Sequence, residues 1–181
     1  MKVAVYLAEG FEEIEAVSII DVLRRAEISV TVVSVSGKLE VTGAHHIKLV
    51  ADELIENFRT EDFGMLVLPG GMPGTTNLLA CRMLQNQVTD FNNQEKLLGA
   101  ICAAPMVLGQ LGILKNRQAT CFPGFEKYLT GASVSAEAVV VSGNVITGRG
   151  AGVALAFALK IVEVLKGKSV SDNLAQKMLV P

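Results

Sequence analysis

Cys102 has the most chemistry to offer in this chain. It lies in Gly99-Ala100-Ile101-Cys102-Ala103-Ala104-Pro105, between an apolar run and a helix-forming stretch. A thiol at a strand-to-helix turn meets the partial positive charge of the helix N-terminus, which favours the nucleophilic thiolate. Exposed nucleophiles of hydrolases sit on turns of this kind. The competing reading is a small buried hydrophobe, the commoner role of an intracellular cysteine. Glu15 is the second candidate. A carboxyl beside a thiol can accept a hydrogen bond or exchange a proton. Glu12, Glu13 and Glu15 together also suit a solvated helix start favoured by the macrodipole. Glu15 differs in being flanked by Ile14 and Ala16, a register that can turn it inward as a buried, protonated donor to Cys102.

Two glycine-rich turns add candidate anion binders. Pro69-Gly70-Gly71 follows an apolar run, and its amides, with that of Cys102 or Ala103, could hold an oxyanion. An ordinary tight turn is the alternative. Gly148-Arg149-Gly150-Ala151-Gly152 lacks the Lys-Ser/Thr ending of a phosphate loop and comes too late for a first dinucleotide crossover. It reads as a helix-entry turn, with Arg149 either binding an anion or serving structure.

The elements that must position these residues alternate between strand and helix. The pattern predicts strands at 2–7, 29–36, 65–68, 97–102 and 119–121. It predicts helices at 13–26, 51–58, 75–92, 103–109 (or to 111), 152–165 and from 170 onward. In the first helix the apolar stripe is read as Ile14, Val17, Ile20 (with Ile19) and Leu23. Residues 38–50 form a short hairpin or excursion, and 134–147 a second hairpin turning at Ser142-Gly143. Near-continuous apolar strands between helices indicate a mostly parallel sheet covered on both faces, in one domain over residues 1–181. Ligands bind such sheets beyond the carboxyl ends of the strands. Ala8-Glu9-Gly10, Pro69-Gly70-Gly71 and Ile101-Cys102 all end strands, so they can share one rim.

Composition narrows the function. The chain has 181 residues, half of them hydrophobic, and a net charge of −2. That charge leaves nucleic acid without an electrostatic footprint. No apolar run reaches membrane-spanning length, and the apolar start is too short for a signal peptide. Cys81, Cys102 and Cys121 are an odd, sparse set, which points to a reducing, cytoplasmic setting rather than a disulfide framework. No zinc-like spacing occurs, so no metal is expected. No glycine-rich loop follows the first strand, which argues against a nucleotide or flavin cofactor.

In order along the chain, Ala8-Glu9-Gly10-Phe11-Glu12-Glu13-Ile14-Glu15, Asp21-Val22-Leu23-Arg24-Arg25-Ala26, Val67-Leu68-Pro69-Gly70-Gly71, Ala100-Ile101-Cys102-Ala103-Ala104-Pro105 and Gly148-Arg149-Gly150-Ala151-Gly152 resemble the ThiJ/PfpI superfamily. The likeness is closest to its deglycase- and chaperone-like subgroup. It implies a flavodoxin-like three-layer sandwich of the class I glutamine amidotransferase type. It also implies Cys102 as an oxidisable thiol on a strained elbow, Glu15 as its protonated partner, an oxyanion-type amide at Gly71, and a homodimer built on the first helix. The implied activities are glutathione-independent glyoxalase or deglycase chemistry on small dicarbonyls or glycated substrates. Redox-linked chaperone behaviour is the alternative, and proteolysis ranks last.

The chain departs from that pattern at the histidine near the nucleophile, in the segment matching Ala119-Thr120-Cys121-Phe122-Pro123. The position is read here as Cys121, which could resolve an oxidised Cys102 into a disulfide or be a buried small residue. Only His45 and His46 exist in the chain. His45 falls where relatives carry a basic residue near the dimer interface.

Overall fold

The computed structural model describes residues 1–180. Five parallel strands carry the site: β1 (Lys2–Leu7), β2 (Ser29–Ser34), β6 (Phe63–Leu68), β7 (Leu97–Ile101) and β11 (Val145–Gly148). With β5 (Glu53–Leu54) and β10 (Val139–Ser142) they form a seven-stranded sheet in the order β10-β11-β7-β6-β1-β2-β5. Every pairing is parallel except β10 with β11.

Alternate residues of each strand feed opposite faces, as the period of two requires. On one face Ala4, Tyr6, Leu66, Leu68, Leu98 and Ala100 pack against α2 (Gly74–Ala80), α3 (Arg82–Asn93) and α4 (Pro105–Gln110). On the other, Val3, Val5, Met65, Val67 and Ile101 meet α1 (Glu13–Arg25), α5 (Ala154–Lys166) and α6 (Lys168–Lys177). The result is the three-layer, flavodoxin-like sandwich expected. Among the described residues no helix is long and apolar enough to cross a membrane.

Several local expectations change. Residues 51–58 are not a helix. Glu53 and Leu54 pair with Val33 and Ser34 at the sheet edge. Asp52 is drawn there because its carboxylate accepts the Val32 N–H at 2.8 Å. The helix expected over 75–92 breaks at Cys81, whose backbone is extended at φ −77°, ψ 103°. The break separates α2 from α3 so that both lie on the sheet. The strand expected at 119–121 is β8 (Gln118–Ala119), which pairs in parallel with β9 (Ser133–Val134). Residues 135–138 therefore connect rather than extend β10. The excursion at 38–50 is the antiparallel pair β3 (Glu40–Thr42) and β4 (Lys48–Val50).

The first helix is turned from its expected register. It buries Glu15, Ala16, Ile19, Val22 and Leu23 and leaves Ile14 60% and Val17 45% exposed. Apolar residues occupy both sides of this helix, so periodicity alone misjudged which side faces the sheet. The actual rotation carries Glu15 into the interior.

Candidate active site

The strand order reverses between β6 and β1, which opens a crevice at the carboxyl ends of β1, β6 and β7. Three loops meet there. Glu12 N–H donates to the Gly70 carbonyl at 2.9 Å, so the β1–α1 loop rests on the loop after β6. Cys102 N–H donates to the Gly148 carbonyl at 2.9 Å, which joins the loop after β7 to the end of β11.

Cys102 follows β7 directly and has φ +65°. A side chain there is held in the left-handed region, where an L-residue carries strain that its surroundings must hold in place. The expected elbow is present. Gly70 permits the approach of the acid. A Cβ on Gly70 would lie 2.7 Å from the Cys102 Cβ and 2.9 Å from Glu15 Oε2, so only glycine fits between them. The Gly70 N–H donates to Glu15 Oε2 at 2.7 Å.

Glu15 is fully buried, and its carboxyl meets the Cys102 thiol. Its Oε1 has no N–H or O–H partner among the described residues. Such an oxygen is better placed as O–H than as half of a carboxylate. Burial pushes the Glu15 carboxyl up to about 7, opposed by the Gly70 N–H and the Cys102 thiol. The Cys102 thiol is itself pushed up to about 12, by burial first and then by the negative charge and hydrogen bonding of Glu15. The N–H groups of Gly71 and Ala103 lie toward the sulfur and pull the other way.

These shifts replace the expectation of a thiolate favoured by a helix terminus. Burial and the neighbouring acid outweigh α4, which is only six residues long. The two groups act as one dyad. A proton on Glu15 turns a repelling charge into a hydrogen-bond donor aimed at sulfur, so the thiolate is best tolerated when Glu15 holds the proton.

Gly71, at φ +90°, and Ala103 present their amides to the sulfur itself. Such donors suit a thiolate or an oxygen attached to the reacting centre. The remaining candidates are not part of the Glu15–Cys102 pair. Cys121 is a free, buried thiol in the core cluster of the α2–α4 face, whereas Cys102 packs with the opposite cluster. Burial pushes the Cys121 thiol up to about 11, with Glu126 adding and Arg149 opposing. The exposed side chain at this point of the chain is Phe122, whose N–H donates to the Cys102 carbonyl at 2.8 Å. Sequence reasoning passed over Phe122; its signal was a large apolar residue directly before Pro123-Gly124 in a loop.

Arg149 donates from Nη1 to the Ala136 carbonyl and from its backbone to Ala138, which holds the 136–138 connection. His45 pairs with Glu13, Nδ1 to Oε2 at 2.9 Å. Glu13, expected on a solvated helix start, is buried; it also accepts the N–H groups of His45 and Ile47, anchoring the β3–β4 turn over α1. Glu12, Glu13 and His45 bring ligand atoms within 4.8 Å of one another. Both Glu13 oxygens already serve that turn.

The model of the DJ-1/PfpI family matches residues 1–164. The chain belongs to the DJ-1/PfpI family. Protein DJ-1 homolog B of Arabidopsis thaliana is 40% identical over 99% of this chain and 41% of its own length. The chain thus spans less than half the length of that relative. The Caenorhabditis elegans protein named glutathione-independent glyoxalase DJR-1.2 is 34% identical over 94% of this chain and 91% of its own. Among solved structures, oxidised Toxoplasma gondii DJ-1 superposes with a TM-score of 0.95 at 37% identity, covering 98% of this chain and 97% of the other. This DJ-1/PfpI chain shares the fold of that structure, with the Cys102 elbow at its crevice.

Proposed function

We propose that the protein acts on small reactive carbonyls, through Cys102 as nucleophile and Glu15 as its proton partner. The observation that carries this reading is the buried Glu15 carboxyl against the Cys102 thiol, with two amides on the same sulfur. With its value at about 7, Glu15 is available in ionised form near neutral pH, and that form takes the thiol proton as sulfur bonds to the aldehyde carbon of a 2-oxoaldehyde. The carbonyl electron pair moves to oxygen, which the amides of Gly71 and Ala103 stabilise. Glu15 passes the thiol proton to that oxygen, giving a hemithioacetal. It then carries the aldehyde hydrogen as a proton to the neighbouring carbon while the hydroxyl proton moves to the second oxygen, which oxidises the first carbon and reduces the second. The product is a thioester of a 2-hydroxy acid. Water cleaves it, releasing the acid and restoring the thiol, so one water is consumed and no external oxidant is needed. A relative named as a glutathione-independent glyoxalase supports the same chemistry.

The second reading is a redox-responsive, chaperone-like protein in which Cys102 oxidises and does not turn over. Its support is a structural neighbour described as oxidised. A homodimer fits either reading, because Val17 and Val50 line one groove while Ile14 and Ile47 are also exposed. Three free cysteines fit a reducing compartment such as the cytoplasm.

Lactate formation from methylglyoxal separates the readings. Repeated turnover that is lost in Cys102→Ser and Glu15→Gln, and retained in Cys121→Ser, is expected. Absence of turnover together with selective peroxide oxidation of Cys102 would establish the redox reading instead.

A further inference from the structure

Beside the Cys102 elbow lies an apolar groove that the proton dyad leaves unused. Phe122, Pro123, Arg149 and the turn at 150–153 line it. Two backbone bonds tie its walls to the nucleophile. Phe122 N–H donates to the Cys102 carbonyl, and Cys102 N–H donates to Gly148, one residue before Arg149. These bonds join two walls of the groove directly to the backbone of the elbow. Val153, which also lines it, packs against the same core cluster as Cys102.

Phe122 is the unusual element. Its ring lies over Gly150, where a Cβ would sit 3.2 Å from a ring carbon. The residue is nevertheless 47% exposed. Phe125 meets the ring edge-on, with centroids 6.4 Å apart. Arg149 is held aside by its bond to the Ala136 carbonyl. A flat, apolar group has a floor here that a methyl group is too small to cover.

We propose that this groove is the subsite for the substituent of the carbonyl substrate, and that Phe122 selects an aromatic substituent over methyl. The assignment rests on the reading of Cys102 as a carbonyl-directed nucleophile. Phe122 would be a specificity determinant, since its ring contacts the part of the substrate that does not react.

The test compares alkylation of the wild-type protein by 2-bromoacetophenone and by bromoacetone, followed by intact mass. In each case a sulfur–carbon bond forms, the carbon–bromine bond breaks, bromide leaves with the electron pair, and the thiol proton passes to Glu15 or water. Cys102→Ser identifies the labelled thiol. The aryl-to-methyl rate ratio should be roughly tenfold higher in wild type than in Phe122→Ala, the factor that about 1.4 kcal/mol represents. Phe122→Tyr should keep the preference and Phe122→Leu should lose most of it, which separates ring stacking from bulk. Equal ratios in wild type and Phe122→Ala would overturn the proposal. Turnover of phenylglyoxal to mandelate against methylglyoxal to lactate is measured alongside. No turnover with the ratio intact removes the proposed activity and supports the subsite. Turnover of both with no Phe122-dependent preference removes the subsite alone.

Discussion

Replacing Glu15 with glutamine should flatten the dependence of stability on pH. The carboxyl is fully buried and held at about 7 rather than 4.5. Its folded-state proton affinity is raised, so the native state binds a proton that the unfolded chain has released across that interval. The stabilisation is complete below about pH 4.5 and is lost as pH rises through 7. At about 1.4 kcal/mol per pH unit, the full effect is about 3 kcal/mol. Most of it, roughly 2 to 3 kcal/mol, falls between pH 8 and pH 5. The introduced side-chain amide can still accept the Gly70 N–H with its carbonyl oxygen and offer an N–H to sulfur. Glu15→Gln therefore removes the titration and keeps the shape. Urea unfolding of both proteins at pH 5 and pH 8 supplies the comparison, because other titrating groups largely cancel in the difference. The wild type should lose about 2 to 3 kcal/mol more than the variant on going to pH 8. A wild-type-minus-variant difference that is the same at both pH values would refute the buried, protonated Glu15.

Three other tests probe the same architecture. Gly70→Ala places a Cβ 2.7 Å from that of Cys102 and 2.9 Å from Glu15 Oε2; it should cost about 1 to 3 kcal/mol in urea unfolding and abolish Cys102-dependent turnover, and wild-type stability would contradict the close approach. Cys102 has φ +65°, so Cys102→Gly should be more stable than Cys102→Ala by about 0.5 to 1 kcal/mol; thermal melting with the Ala variant ahead would contradict the strained elbow. Hydrogen bonding and then the charge of Glu13 raise the His45 imidazole above its ordinary value. Glu13→Gln should bring the His45 titration midpoint down toward 6.5, followed by NMR of the ring protons; an unchanged midpoint would show that the pair does not persist in solution.

The fold class was legible because buried parallel strands and their covering helices leave strong local patterns. Where local pattern competes with edge pairing or packing, it loses. Residues 51–58 have helical composition, yet Asp52 finds the Val32 N–H and the next two residues join β2. Cys81 sits inside a continuous helical pattern, yet the chain bends there so that α2 and α3 both lie on the sheet. The hairpin at 38–50 was readable, but its anchor was not. That anchor is Glu13, a buried carboxylate made tolerable by backbone donors from residues 45 and 47.

Within the site, residue identities came from sequence and their relations from tertiary structure. Cys102 after an apolar run and Gly70-Gly71 after another are local facts, since a strand followed by a sharp turn is encoded over a few residues. Flanking Ile14 and Ala16 set Glu15 apart from its neighbours, and the family likeness named it the protonated partner of Cys102. Only the assembled fold decided that α1 rotates Glu15 inward while leaving Ile14 and Val17 exposed. Only the fold set Cys102 and Cys121 in opposite clusters and brought Phe122 to the elbow. The charge state followed the same division. The helix-terminus argument used a local field. Burial and the facing carboxyl come from segments 87 residues apart in the chain, and they dominate because charges interact most strongly in a low-dielectric interior. The sequence by itself determined which groups could react; the tertiary structure decided which of them share a proton.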